Sequence, residues 1–229
     1  MIPLGRRRRL LPGPLITLAA FVAAALVVAG FGGTKSSALV QRVGGKPYEQ
    51  QLRDYILRPL KLDDTTLPTG TEALPDVHGY LALHVYDKNA SPVPIDTAAL
   101  PPSLGWAAGG MRSTLADIAD FYRGLFSGKL LPRAQVAAME HTEATGGQYG
   151  LGLMPTGPHA YQWVINTTCG RAWGHGGHWA GQWHLPISSP DGSRQAVLLV
   201  HADPTLIPRA QMTRIYTLVA TAYCRGLPS

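Results

Sequence analysis

Charge is scarce in this 229-residue sequence: Asp, Glu, Lys and Arg together make up 15%, where about 25% is usual for a soluble domain. The cationic excess is concentrated, since Arg6–Arg9 supply four of the charges behind a net +6. The rest of the chain is nearly balanced, which argues against a nucleic-acid-binding surface. Cysteine is reduced to Cys169 and Cys224. There is no internal repeat and no low-complexity linker. The length suits one domain, or one and a half, at ~100–200 residues per domain, and a 45% apolar content is enough for a packed core.

The N-terminus accounts for part of the charge deficit. After Arg6–Arg9 and a Pro-Gly-Pro stretch comes an uncharged run from Leu15 to Phe31. As a helix it reaches about 25 Å, short of a ~30 Å hydrocarbon core. Residues 1–31 therefore read as a signal peptide or as a short membrane anchor, with small residues Ala29 and Gly30 suited to cleavage. Either reading places residues 32–229 outside the cytoplasm, by the positive-inside rule. An oxidising compartment follows, and with it a disulfide between Cys169 and Cys224.

The periodicity predicts a helix from Pro47 to Leu57, ended by Pro59, then a long irregular connection from Lys61 to Ser103 with a short strand near Tyr80–Tyr86. Thr114–Phe126 is the clearest helix, with Thr114-x-x-Asp117 resembling a capping box and Gly128 at its stop. A second helix runs from Pro132 to Met139. Strands are expected at Tyr149–Leu153, Tyr161–Ile165, Trp179–Ile187 and Arg194–His201, the last two joined by a turn at Ser188–Ser193. Pro208–Cys224 closes the chain as a helix whose apolar face is Met212, Ile215, Leu218, Val219 and Ala222. Helices, then antiparallel strands, then a closing helix make an α+β arrangement.

Five short segments, in order, then carry a resemblance. They are Gly45-Lys46-Pro47-Tyr48 with Ile56–Thr66; Trp106–Ile118, which contains Ala-Gly-Gly-Met-x-Ser-Thr; Ser127–Leu131; Tyr149-Gly150-Leu151-Gly152; and Cys169-Gly170-x-x-Trp173-Gly174-His175-Gly176-Gly177. Together, from about Gly45 to Ser229, they resemble the C-terminal portion of β-lactamase-related serine hydrolases, of the class C β-lactamase and extracellular D-alanyl-D-alanine carboxypeptidase type. The resemblance implies a partial β-lactamase/transpeptidase-like fold: an antiparallel sheet with a C-terminal helix and a helical region, its N-terminal strands and nucleophile helix missing. It also implies pairing of Cys169 with Cys224.

Such enzymes open an amide by acyl transfer, using a Ser-x-x-Lys nucleophile, a Tyr-x-Asn pair and a third motif of Lys or His-x-Gly. By resemblance, His175 and Gly177 form the third-motif wall, while Gly176 and Trp106 face substrate. Trp106 equally suits core packing. Gly176 stands where Thr or Ser is common, and His178 where a small hydroxyl residue is expected, so recognition of a carboxylate is weakened. The first two motifs are absent. No Ser lies three residues before any of the five lysines, and no Asn two residues after any of the nine tyrosines. Ser36 and Ser37 have no general base beside them, and Ser113 reads as a helix cap.

The expected ligand is a peptidoglycan-type peptide or a β-lactam, with no cofactor and no nucleic-acid partner; the membrane is met through the N-terminal segment. The reading is of a truncated, catalytically incomplete hydrolase. A membrane-tethered, non-catalytic peptide-binding module of the same fold is the alternative. A zinc site on His175, His178 and His184 is the remaining rival, though no Cys, Asp or Glu set completes a tetrahedron.

Overall fold

The computed structural model describes residues 33–70, 78–83, 91–157, 165, 167–179 and 181–225. The leader lies outside them, as do most of the strands expected at Tyr161–Ile165 and beyond Leu83. Helix α1 (Gly33–Gly44) has no counterpart in the sequence reading. Helix α2 (Tyr48–Leu52) starts after Pro47 as expected. It continues through a π-helical turn, Arg53–Leu57, into α3 (Arg58–Leu60). The helix therefore passes through Pro59 by one residue. The wide turn just before the proline relieves the clash its ring would make with the preceding turn, and Lys61, at φ 57, ends the run in the left-handed region.

A two-stranded antiparallel ribbon follows, β1 (Tyr80–Leu83) on β2 (Val93–Asp96); β2 falls in the stretch read as irregular. Helix α4 (Leu115–Phe126) is capped as the sequence indicates, the Thr114 hydroxyl accepting the Asp117 N–H at 3.1 Å. Asp117 does not complete the box. Its buried carboxylate instead accepts the Thr65 hydroxyl at 2.6 Å and the Asp64 N–H at 3.1 Å. The acid pins the connection after α3 to the start of α4, a stronger use of a desolvated charge than bonding its own helix end. Helix α5 (Arg133–Met139) follows.

The expected strand at Tyr149–Leu153 does not form. There the Gly150 N–H bonds the Leu153 carbonyl and the Leu151 N–H bonds that of Met139, a local turn in which Gly152 has φ 77. Only β3 (Met154–Pro155) is extended, and it pairs with β4 (Trp173–Gly174). The single strand expected over Trp179–Ile187 is a hairpin: β5 (Gly177–Trp179) turns at Gly181, φ 77, into β6 (Gln182–Ser188). β7 (Gln195–Val200) pairs antiparallel with β6, and helix α6 (Arg209–Cys224) closes the chain.

β6 is the central strand, with β7 on one side and β4 and β5 on the other. Its alternate residues Trp183, Leu185 and Ile187 meet Val219 and Tyr223 of α6 in one core. On α6 Val219 and Tyr223 are buried, and Met212, Ile215 and Tyr216, half-buried, pack beside them. Leu218, expected on that face, is 57% exposed; the 3.6-residue period through Val219 and Tyr223 turns it outward. A second core gathers the helices, with Leu52, Ile56, Leu125, Phe126, Val136 and Trp173 among its members. The Cys169–Cys224 disulfide is formed, Cα atoms 5.5 Å apart, and joins the end of α6 to the segment entering β4. No helix among the described residues is long and apolar enough to cross a membrane.

Candidate active-site wall

His175 and Gly176 sit where the ladder beside β6 is interrupted. β4 and β5 share one continuous register, Trp173 opposite Ser188 and Gly177 opposite His184. Continuing that register places Pro186 opposite His175, and proline has no N–H to give a neighbouring strand. The backbone of His175 is satisfied from elsewhere. Its N–H donates to the Tyr122 hydroxyl oxygen at 2.9 Å, and that hydroxyl donates to the His175 carbonyl at 3.2 Å. One phenol, buried in α4, replaces two ladder bonds. Burial pushes the Tyr122 hydroxyl well above the usual tyrosine range, so it remains a donor.

The imidazole is held as tightly. Nδ1 lies 2.7 Å from the Gly176 carbonyl; a carbonyl only accepts, so Nδ1 carries the hydrogen. Nε2 lies 3.1 Å from the Tyr149 hydroxyl, the two rings meeting edge-on with centroids 5.7 Å apart. Burial lowers the His175 pKa, against the opposing effect of the Gly176 bond. In the neutral form Nε2 therefore accepts from Tyr149. Burial also raises the Tyr149 phenol above its ordinary value.

His184 lies behind the wall. A Cβ on Gly177 would stand 2.8 Å from the His184 ring and would have to displace it. Burial, and then the neighbouring His175, push the His184 pKa down to about 4. Gly176 is buried. His178 turns away, its Nε2 3.6 Å from Asp203. The three imidazoles thus serve separate partners, and among the described residues no group of three or more His, Cys, Asp or Glu is placed to hold a metal ion.

Trp106 stands with α1 and α2. Its indole N–H donates to the buried Ser37 hydroxyl at 3.0 Å, and its ring lies 6.1 Å from that of Tyr48. It is half-buried against the helical core and has φ 41, an uncommon conformation for a bulky residue. Sequence reasoning missed Tyr122, Tyr149 and His184 as parts of the wall. Tyr149 had a signal, as the first residue of Tyr-Gly-Leu-Gly; Tyr122 looked like any apolar residue of a helix face.

An antiparallel sheet with the C-terminal helix packed on β6 and β7, and a His-x-Gly segment beside β6, fits a β-lactamase/transpeptidase-like fold. The Beta-lactamase family model matches residues 36–220, and the chain belongs to that family. Among solved structures, a D-stereospecific amidohydrolase from Streptomyces sp. is similar at 29% identity and TM-score 0.63, covering 84% of this chain and 53% of its own. A D-amino acid amidase from Ochrobactrum anthropi SV3, complexed with L-phenylalanine amide, matches at 21% identity and TM-score 0.57, covering 80% of this chain and 54% of its own. An octameric penicillin-binding protein homologue from Pyrococcus abyssi matches at 19% and 0.54, covering 84% and 42%. The last two speak to the fold alone. The chain spans about half the length of the solved structures it matches.

Proposed function

We propose that this chain supplies the third-motif wall of an amide-opening acyl-transfer site and holds a small amino-acid-derived amide or peptide there, without completing turnover by itself. The observation that carries the reading is His175, fixed through its backbone by Tyr122 and through its ring by Tyr149, where the ladder beside β6 of a Beta-lactamase-family sheet is interrupted. The family resemblance suggests peptidoglycan-type peptides and β-lactams as ligands. The D-stereospecific amidohydrolase among the similar structures adds D-configured amides.

The lack of turnover rests on chemistry. The 229 residues contain neither Ser-x-x-Lys nor Tyr-x-Asn, and loss of a serine nucleophile with its base costs on the order of 10⁶ in rate. Ser37 is buried and accepts the Trp106 indole N–H. Extracytoplasmic placement, with residues 15–31 as signal or anchor, is part of the same proposal and accords with the disulfide.

The test is incubation with labelled penicillin followed by intact-mass measurement, alongside an NMR titration of the His175 ring with N-acetyl-D-alanine and its amide. The expected result is no covalent adduct and a saturable shift at His175. A stable adduct on any serine would sink the non-catalytic half of the reading, and a His175 ring blind to both compounds would sink the binding half.

A further inference from the structure

We infer that the outer edge of β7 is a docking site for the same strand of a second copy of this chain, the two pairing antiparallel about a twofold axis at Val197. α4 and α6 both pack on β6 and β7, with Ala196, Leu198 and Val200 turned to the α6 core. Yet the two strands are buried to different degrees. Trp183, Leu185 and Ile187 of β6 are at most 3% exposed, whereas every residue of β7 is half-buried or exposed. β6 has strand neighbours on both sides and β7 on one. The surface that β7 shows therefore lies along its outer edge.

The register shows what that edge offers. The Ser189 N–H donates to the Arg194 carbonyl at 2.9 Å, which makes these two a hydrogen-bonded pair. Alternation from there turns the backbone groups of Ala196, Leu198 and Val200 toward β6. Those of Gln195, Val197 and Leu199 point the other way, and they bond no described residue. Edge strands are commonly kept from pairing by charge, proline or a bulge. Gln195–Val200 has no charged residue, no proline and no glycine, and its register with β6 runs without a bulge.

A strand of the same sequence fits this edge. With the axis through Val197, that residue faces its own counterpart and Gln195 faces Leu199. All three outward-facing residues of each copy are then paired, each pair exchanging two backbone hydrogen bonds. Valine meets valine at the centre, and no like charges are brought opposite one another. Pairing stops at two copies. The opposite margin of the sheet is made of β3 and β5, two and three residues long, and β3 ends in Pro155. Each copy has one long edge to give, so the contact is the same patch on both partners and closes on itself.

The experiment uses the full chain in a density-matched detergent, which suits the apolar run at 15–31. It combines sedimentation equilibrium with amide hydrogen exchange. The unaltered chain should be a reversible dimer with no larger species. The amides of Gln195, Val197 and Leu199 should exchange about tenfold more slowly at roughly a hundred times the dimer Kd than well below it. Val197→Pro removes an outward N–H that β6 does not use, so the strand keeps its place. It should raise the dimer Kd at least about tenfold, for the two central hydrogen bonds lost. If that variant does not fold, the concentration dependence of the three amides in the unaltered chain still decides. A monomer overturns the inference, whether those amides exchange freely or are covered by the chain's own N-terminal residues. A ladder of larger oligomers overturns it too. So does a dimer that Val197→Pro leaves intact, or one whose edge amides exchange equally fast at every concentration, since it would join through another surface.

Discussion

The Tyr122 hydroxyl accepts the His175 N–H at 2.9 Å and returns its own hydrogen to the His175 carbonyl at 3.2 Å. Replacing it with phenylalanine keeps the ring, which stacks on Phe126 at 6.3 Å, but orphans both backbone groups. Leaving desolvated partners unpaired costs about 1–3 kcal/mol each. Tyr122→Phe should therefore lower stability by about 2–6 kcal/mol in urea unfolding. Hydrogen-exchange protection should be lost first at the His175 amide. A variant as stable as the parent would show that water or β6 satisfies that backbone instead.

The half-buried His184 makes stability depend on pH. Its pKa is about 4 in the fold, through burial first and His175 second, against about 6.5 in an unfolded chain. Above pH 6.5 both states are neutral there and the group is silent. As pH falls from about 6.5 to 4 the unfolded chain binds a proton that the folded one refuses, so stability declines. Below 4 the loss levels off at roughly 3 kcal/mol. His175, lowered in the same direction by burial, adds to the fall. Thermal melting of His184→Gln across pH 4 to 7 should show a shallower slope than the parent; an unchanged slope would place the titration on other groups.

Asp117 holds Thr65 and Asp64 from inside α4. Hydrogen bonds to a charged acceptor contribute about 1.5–3 kcal/mol, and the cap Thr114 about 1 kcal/mol. Asp117→Ala should therefore destabilise by roughly 3 kcal/mol and Thr114→Ala by about 1, measured by denaturant midpoints at constant slope. The reverse order would mean that the helix start, not the pinned connection, dominates.

The disulfide closes a loop with a sequence separation of 55, worth roughly 4 kcal/mol in the chain-entropy model. A thiol count on the unfolded, unreduced protein should find no free thiol. The double variant with serine at positions 169 and 224 should melt lower than the oxidised parent and match the reduced one.

What the sequence disclosed was mostly local. Thr114 and Asp117 mark a helix start because capping involves neighbours three residues apart, and α4 begins where they say. His175-Gly176-Gly177 announces a wall because its residue types suffice to suggest the chemistry. The hairpin at Gly181 was hidden because one glycine among Trp179, Ala180 and Trp183 is a faint turn signal. Helix α1 has glycines at both ends and only Leu39, Val40 and Val43 as large apolar residues, so its pattern is easily passed over. Leu151 and Gly150 look like a strand, but their amides are taken by the carbonyls of Met139 and Leu153. Tyr122 was beyond reach for a different reason. Its partner is 53 residues away, and only the assembled sheet, with Pro186 opposite the gap, reveals that a hydroxyl is needed there.

The Cys169–Cys224 bond encloses nearly the whole sheet, including the exposed turn at Asp191 and Ser193 between β6 and β7. A protease cutting that turn would leave two peptides still covalently joined, with β6 and β7 each retaining its place. The nicked species would run as a single particle until reductant was added, then separate. Damage at this corner of the molecule is thus invisible to size alone in an oxidising setting.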